Sequence, residues 1–234
     1  MSPGWNARWP RSAQPARREL WRGVEAQHQV ATMRLVDTID EQLVLERILE
    51  ASKPPIPLDA REAHYLVFTP FRYTSPWPSR FRQAGAPGLW YGADEPQTVC
   101  AGLAHWRWRF VHDSEGLRDD QLITEHTLFK AAFVGLELDL SVAPWDALRA
   151  MWRDQQDYSA CHALADAVRA ATPVIDAIRH ESARREHGMC AAVFHSRALT
   201  IQEPNAQQTW ICKTTARTVL FTCKANGGSM AFEF

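Results

Sequence analysis

Arginine and tyrosine side chains are the first candidates for chemistry in this sequence, because they recur in one loop-rich segment. Arg72 and Tyr73 follow closely on Pro70, Arg80 follows a Pro/Ser-rich loop, and Tyr91 lies in a short apolar run. A loop arginine can pair with a surface acid or bind an anion, and a tyrosine in an apolar run is by default a core aromatic whose hydroxyl needs a partner. The residues alone therefore indicate an Arg/Tyr-lined loop region and no specific reaction.

The common catalytic motifs are absent from the sequence. It has no GxxxxGK[ST] loop and no GxGxxG turn for phosphates, no HExxH for zinc and no GxSxG for a nucleophilic serine. His105 and His112 are seven residues apart with no third ligand nearby, which favours packed or solvated histidines over a metal site. The cysteines are odd in number and form no CxxC pair, so we expect buried, reduced thiols rather than a zinc site: Cys100, Cys161, Cys190, Cys212 and Cys223.

Length and composition narrow the class of protein. The 234 residues are 46% hydrophobic, enough for one sizeable core. A net charge of -1 argues against a general nucleic-acid surface. No apolar stretch approaches the roughly 20 residues that span a bilayer. The first residues carry arginines but no apolar core of a signal peptide. We therefore expect a cytoplasmic protein that binds neither membrane nor nucleic acid directly.

The N-terminal quarter of the chain divides into two segments. Residues 1–20 are rich in Arg, Pro, Ala and Ser, and we expect a disordered tail there. Residues 21–50 have apolar positions three or four apart, and Thr38 with Glu41 could form a capping box within this helical segment. Prolines from Pro54 onward end it. The predicted organisation is a tail, a helical extension with a Pro-rich linker over 21–57, and a main domain over 58–234.

Strand and helix patterns are mixed through the main domain. Because they show no regular βαβ alternation, the sequence predicts an α+β fold. Pro96 suits the first turn of a helix that runs to about Phe110, and Ser159 suits the N-cap of another helix over 160–171. Further helical residues lie near 148–152, and strand-like runs occupy 65–68, 89–93, 133–140, 174–178, 190–194, 209–213 and 218–223.

Several short segments, spread over roughly residues 60 to 225, together resemble the RES domain family. Each is weak alone, but their order and spacing match the family. They include an Arg-aromatic pair with a GGRW-like element, an LY-x-A strand followed by a TA-x-A-E helix, a Ser-containing helix start and an IRYPSAR turn. The corresponding residues are Phe71–Tyr73 with Ser79–Phe81, Leu89–Ala93 with Thr98–Ala101, Asp157–Leu164 and Ile178–Arg184.

The resemblance implies a fold, an activity and a partner. The implied RES fold is similar to ADP-ribosyltransferase toxins, with small mixed or antiparallel sheets and flanking helices. The implied activity is that of a bacterial toxin that breaks the nicotinamide–ribose bond of NAD⁺, with water, phosphate or a protein as acceptor. NAD⁺ is then a substrate, and no resident cofactor or metal is expected. The implied partner is an Xre-type helix-turn-helix antitoxin, and an oligomer formed with it is compatible with this assignment.

The resemblance also implies catalytic residues. Arg72 would clamp the diphosphate, since a guanidinium fork binds phosphate bidentately. Tyr91 would stack on nicotinamide or hydrogen-bond the ribose, and Ser159 would position the ribose or a phosphate oxygen. Each has a structural alternative: Arg72 pairs with a surface acid, Tyr91 packs in the core, and Ser159 caps its helix.

Further residues are implied to bind the substrate. Tyr73 would contact nicotinamide or ribose, and Arg80 would add charge to the phosphate pocket. Ser182, together with Arg184, lies in the segment that resembles the family turn. The structural alternative is that Ser182 and Arg184 only close this turn.

One family residue is missing. The catalytic glutamate of the family helix aligns with Gly102, which can neither stabilise a cation nor grip a ribose hydroxyl. Three accounts of this difference are open. The protein is a weakened or inactive RES domain that still binds NAD⁺ or its partner, or the sequence is that of an inactive allele. In the third account another carboxylate takes the place of the glutamate: Asp94, Glu95 or Glu181. Three functions stay open: attenuated NAD⁺ cleavage, an inactive domain that acts as an antitoxin-binding or NAD⁺-binding module, and protein ADP-ribosyltransfer.

Overall fold

The computed structural model describes residues 5–6, 8–26, 30–33, 35–118, 120–201, 207–225 and 227–234. Six α-helices occur in this part of the chain: α1 (Val30–Met33), α2 (Ile39–Ser52), α3 (Tyr65–Arg72), α4 (Pro96–Asp113), α5 (Arg149–Arg153) and α6 (Ser159–Arg169). The strands are β1 (Gln14–Glu25), β2 (Trp90–Ala93), β3 (Leu122–Asp139), β4 (Ala177–Glu181), β5 (Met189–Val193), β6 (Leu199–Thr200), β7 (Gln208–Thr214), β8 (Thr218–Cys223) and β9 (Ser229–Glu233).

The sheet is organised around the 18-residue strand β3, with the order β1-β2-β5-β4-β3-β7-β8-β9 and β6 beside β3. β1 also pairs antiparallel with β3, from Gln14 opposite Glu137 to Glu25 opposite His126. The pairings β1-β2-β5-β4-β3-β1 therefore form a closed circuit. Among the described strands, the β3–β4 pair is parallel and the other pairs are antiparallel. The mixed helices and mostly antiparallel strands confirm the predicted α+β class.

The core lies on both sides of β3 and under α4. Leu20 of β1 is fully buried and packs in one cluster with Trp90, Phe129 and Phe133. On the other side, α4 buries Cys100 and Ala104 against a second cluster, which contains Leu128, Trp210, Val219 and Phe221. Because the first half of α4 is fixed in this way, the side chains on its opposite face have a defined position.

The expected disordered tail is wrong for the residues that the structure describes. Trp9–Ser12 form a 3₁₀ turn, and Gln14–Glu25 form the long strand β1. The polar residues that suggested a tail have partners on β3: Arg18 Nη2 lies 2.9 Å from Oε1 of the buried Glu137. The strand therefore depends on a tertiary partner, which local composition does not reveal. Residues 1–4 and 7 lie outside the described residues.

The expected helix over 21–50 is partly wrong. Trp21–Glu25 belong to β1, and α2 begins only at Ile39. Its capping box is present as expected, since Glu41 N donates to Thr38 Oγ1 (3.2 Å) and Thr38 N donates to Glu41 Oε2 (3.0 Å). Because β1 belongs to the same sheet as the rest of the chain, the boundary proposed at residue 58 does not separate two structural units.

The strand expected at 65–68 is also wrong, because these residues open helix α3. His64 accepts a hydrogen bond from Leu66 N through Nδ1 (3.2 Å), which caps the helix, and Leu66 and Val67 bury its inner face. An apolar run of four residues cannot by its pattern distinguish a buried strand from a short buried helix.

Four of the five cysteines are buried as expected, and Cys190 is not. All five are free, and Cys190 is partly buried while the other four are buried. Burial raises the pKa of Cys100 to about 12, so the thiol stays protonated at neutral pH. Within the described residues no group of three His, Cys, Asp or Glu side chains could hold a metal ion. In the same part of the chain no helix is long and apolar enough to cross a membrane.

The β1–β3 ladder gives a stability prediction. Leu20→Ala should lower the free energy of unfolding by about 2–5 kcal/mol, because it removes a fully buried side chain from the core. Arg17→Ala, an exposed change on the same strand, should shift it by less than about 0.5 kcal/mol. Urea unfolding measures both, and equal effects would show that β1 is not packed as described.

Candidate functional site

A cleft of about 340 Å³ opens between β1, β2, the first half of α4 and the loops near residues 80, 158 and 183. Its lining combines cations, aromatic rings and small polar groups, and none of its lining residues is Asp or Glu. The residues that bear on its chemistry are Arg22, Arg80, Tyr91, Gly102, Trp106, Tyr158, His180, Ser182 and Arg184.

Two of the cleft arginines are held by helix α5 and the loop that follows it. Arg80 Nη1 donates to Trp152 O (2.6 Å), and its guanidinium lies 4.8 Å from the ring centre of Tyr158. Arg184 Nη1 donates to Gln155 Oε1 (2.7 Å). Burial, and to a lesser extent the charge of Arg80, lowers the pKa of Arg184. Two guanidinium groups that repel each other in a cleft without a lining carboxylate favour an anionic ligand.

The Tyr91 hydroxyl has hydrogen-bond partners, as expected of an aromatic residue in the core, and Tyr91 also lines the cleft. Its oxygen accepts a hydrogen bond from Phe81 N (3.1 Å) and shares another with Ser79 Oγ (2.9 Å). Burial raises the pKa of Tyr91, so the phenol is neutral at pH 7. These two bonds fix the loop that carries Arg80, and Tyr91 is therefore a positioning residue for that guanidinium.

His180 is buried and contributes no charge to the cleft. Its Nδ1 lies 3.0 Å from the carbonyl oxygen of Glu181, which can only accept, so Nδ1 carries the hydrogen. Burial lowers the pKa of His180 to about 3. The ring is therefore neutral at pH 7, with Nε2 as a hydrogen-bond acceptor that has no partner in the described part of the chain.

Gly102 faces the cleft from α4. A Cβ added to Gly102 would have no heavy atom within 4 Å, so packing does not require glycine here. Glycine within a helix costs about 1 kcal/mol relative to alanine, and helix stability does not explain it either. Trp106 lies one turn further along α4, is 48% exposed and also lines the cleft, where its ring can stack on an aromatic ligand.

The cleft brings together Arg80, Tyr91, Ser182 and the Gly102 position from the sequence-based candidates. Ser182 Oγ accepts hydrogen bonds from the backbone N–H groups of Arg184 (3.1 Å) and Arg185 (3.2 Å). This is the geometry of a closed turn, so the turn alternative holds for Ser182. Arg184, which the sequence analysis named together with Ser182 in this turn, supplies a guanidinium to the cleft.

Arg72 and Tyr73 do not line the cleft, which corrects their expected place in the phosphate and ribose site. Arg72 Nη1 lies 2.7 Å from Glu50 Oε1, and Arg72 Nε donates to the carbonyl of Pro54. Arg72 therefore ties α3 to the end of α2 and the linker, as the surface-acid alternative states. Tyr73 follows α3 and lies 38% exposed beside the Arg72 guanidinium.

Ser159 also lies outside the lining, and the expected N-cap role is wrong. It is the first residue of α6, is exposed, and makes no capping bond with its side chain. Its backbone N–H donates to Asp157 Oδ1 (2.8 Å). The neighbouring Tyr158 reaches the cleft instead.

The carboxylates considered as substitutes for the family glutamate are engaged elsewhere. None of them lines the cleft, and each forms an ion pair with an arginine. The pairs are Asp94 with Arg179 (2.6 Å), Glu95 with Arg185 (2.8 Å) and Glu181 with Arg149 (2.6 Å). The described lining of the cleft therefore contains no carboxylate that could substitute for the family glutamate.

Sequence reasoning missed Arg22, Trp106, Tyr158 and His180 as cleft residues. Arg22 lies in the segment that the sequence analysis predicted to be helical, so its place on a strand of the cleft was not predicted. Trp106 has a usable signal, because it follows Gly102 by four residues and the two must share a helix face. His180 occupies the tyrosine position of the IRYPSAR-like turn.

The sequence profile of the RES domain family matches residues 56–214. The chain belongs to the RES domain family. Among solved structures, it is similar to the Mycobacterium tuberculosis MbcT–MbcA toxin–antitoxin complex, with a TM-score of 0.48 and 12% identity over 90% of this chain and 92% of that chain. No curated protein sequence matches it. β1 and Arg22 precede the matched segment, so a strand outside the family match completes the family domain's cleft.

Tyr91 gives a test of the loop geometry. Tyr91→Phe should lower the free energy of unfolding by about 1–3 kcal/mol, because the buried Phe81 N–H loses its acceptor. The control is Tyr65→Phe at an exposed position, which should change stability little. If chemical denaturation finds the two variants equally stable, Tyr91 does not hold this loop.

His180 gives a pH prediction. Its pKa is about 3 in the folded chain and near 6.5 in the unfolded chain, so unfolding takes up a proton between these values. The stability that neutral His180 allows is complete above pH 6.5 and is lost as pH falls, by about 3 kcal/mol at pH 4. His180→Gln should reduce the pH dependence of unfolding over this window, and an unchanged pH dependence in this variant would show that His180 is not buried as a neutral ring.

Proposed function

We propose that this protein is the attenuated toxin of a toxin–antitoxin pair, which binds NAD⁺ in the cleft and cleaves its nicotinamide–ribose bond slowly. The observation that carries the proposal is the charge of the cleft: its lining supplies arginines for phosphates and has glycine at position 102 in place of a carboxylate. An Xre-type antitoxin, assembly with it and a cytoplasmic location belong to the same proposal, and family membership supports them.

Arg80 and Arg184 are the residues suited to the diphosphate of NAD⁺. Guanidinium groups bind phosphate oxygens with paired, charge-assisted hydrogen bonds, and both side chains are held by their neighbours before a ligand arrives. Trp106 offers a ring at the cleft for the nicotinamide or adenine base. The arrangement fits a ligand that is anionic at its centre and aromatic at its ends.

The proposed reaction breaks the bond between ribose C1′ and the nicotinamide nitrogen. The electron pair of that bond leaves with nicotinamide, which departs neutral, and the ribose becomes an oxocarbenium-like cation. Water or phosphate then bonds to C1′, and the proton of water passes to solvent. A nearby carboxylate stabilises the cation in such reactions, and loss of one preorganised group typically costs on the order of 10²–10³ in rate.

A non-catalytic binding module is the second candidate, because the same missing carboxylate favours it. Such a module would hold NAD⁺ or an antitoxin without turnover. Binding and chemistry must therefore be measured separately: calorimetry with NAD⁺ reports binding, and release of nicotinamide reports cleavage. Binding without release supports the module, and label transferred from NAD⁺ to protein would indicate ADP-ribosyltransfer.

Gly102 provides the decisive test. Gly102→Glu should raise the rate of nicotinamide release by about 10²–10³-fold over the unchanged protein, because it returns a carboxylate to the cleft where a Cβ meets no neighbour.

Gly102→Gln is the matched control, since it has the same size without the charge and should raise the rate little. The proposed role of this position is wrong if the unchanged protein releases nicotinamide as fast as the Glu variant, or if Gln is as effective as Glu.

A further inference from the structure

We propose that Arg22 is a phosphate-binding residue of the cleft, contributed by the strand β1 that precedes the family segment. The inference rests on the proposed function in one respect: NAD⁺ is one source of the phosphate group. It depends on a guanidinium that lines the cleft and has no carboxylate partner in the described part of the chain.

The position of Arg22 is fixed by backbone and ring contacts. Its neighbour Trp21 pairs with Ala93 across β1 and β2. Arg22 Nη1 donates to Tyr91 O (2.8 Å), and the guanidinium lies 5.4 Å from the ring centre of Trp90. Nε is buried with no hydrogen-bond partner among the described residues. The side chain is therefore held against the cleft wall by neutral groups that do not balance its charge.

Two other arginines on strands of the sheet have a carboxylate partner. Arg18 pairs with Glu137, and Arg179 pairs bidentately with Asp94. Burial lowers the pKa of Arg22 to about 10, so it is still a cation at pH 7. A charge taken out of water without a counter-ion is costly, and an anion that enters the cleft would compensate it.

Arg22 lines the same cleft as Gly102, the position of the family glutamate. A Cβ at Gly23 would come 2.6 Å from Leu103 Cδ1 and 3.0 Å from Val99 Cγ1, so β1 here touches the turn of α4 that contains Gly102. The cleft in which the family resemblance implies a carboxylate therefore has cations and no acid in its lining. A phosphoryl oxygen, rather than the positive side of a ribosyl cation, matches that charge.

The phosphoryl group has two possible sources, the diphosphate of a nucleotide or free inorganic phosphate. The chemistry is the same in both cases, since Arg22 donates charge-assisted hydrogen bonds to phosphate oxygens. ADP-ribose carries the first source without a nicotinamide leaving group, and phosphate alone is the second. Calorimetric titration with each probe distinguishes the two.

Arg22→Gln should weaken binding of at least one of the two probes by about 10- to 100-fold. Arg17→Gln, an exposed position on the same strand with the same change of charge, should bind both as the unchanged protein does. Arg22→Lys, which keeps the charge but loses the fork, should fall between them. Thermal unfolding controls for folding, and Arg22→Gln should not lower the melting temperature, because it removes an unpaired buried charge.

The outcomes separate this inference from the proposed function. If Arg22→Gln is folded and binds both probes as tightly as the unchanged protein, or if the unchanged protein binds neither, Arg22 does not bind phosphate. If the unchanged protein binds phosphate through Arg22 but shows no affinity for NAD⁺ or ADP-ribose, Arg22 keeps its role and the proposed function fails. If the unchanged protein binds NAD⁺, and Arg22→Gln binds NAD⁺ and both probes equally well, the proposed function stands and the role of Arg22 is wrong.

Discussion

The antiparallel ladder between β1 and β3 is the constraint on which the rest of the structure depends. It closes the circuit of strands, buries Leu20 against Trp90, and brings Glu25 of β1 opposite His126 of β3. It also carries Arg22 to the cleft and sets Gly23 against α4, where no side chain fits without a shift. Stability and ligand chemistry are therefore coupled through a segment that the family profile does not cover.

The distribution of acids explains why the cleft is cationic. The carboxylates that neighbour its lining residues in the sequence form ion pairs outside the lining. Asp94, which follows Ala93, pairs with Arg179. These pairs hold together the strands and loops that form the walls, while Arg80 and Arg184 keep neutral hydrogen-bond partners. A wall built in this way presents positive charge to whatever enters the cleft, and the charge does not depend on the residue at position 102.

Local signals in the sequence were sufficient where an element is fixed by its own residues. Pro96 predicted the start of α4, and Thr38 with Glu41 predicted the start of α2. They failed where the partner is distant: β1 is polar and stable only because β3 pairs with it. The same limit separates Arg80 from Arg72, because the family resemblance implied a phosphate ligand for each, while only tertiary contacts direct Arg72 to Glu50.

The three glycines Gly23, Gly92 and Gly102 of the cleft differ in the space around them. A Cβ at Gly92 would clash with the fully buried Trp90 ring, so packing requires glycine there, whereas a Cβ at Gly23 would require the end of the Leu103 side chain to shift. Gly102 faces open space, and a larger residue there would meet no neighbour at Cβ and would favour the helix. Glycine at 102 therefore gives no packing advantage to the fold. Because the open space at Gly102 belongs to the cleft, a side chain placed there would face the cleft without displacing the walls that the other two glycines hold together.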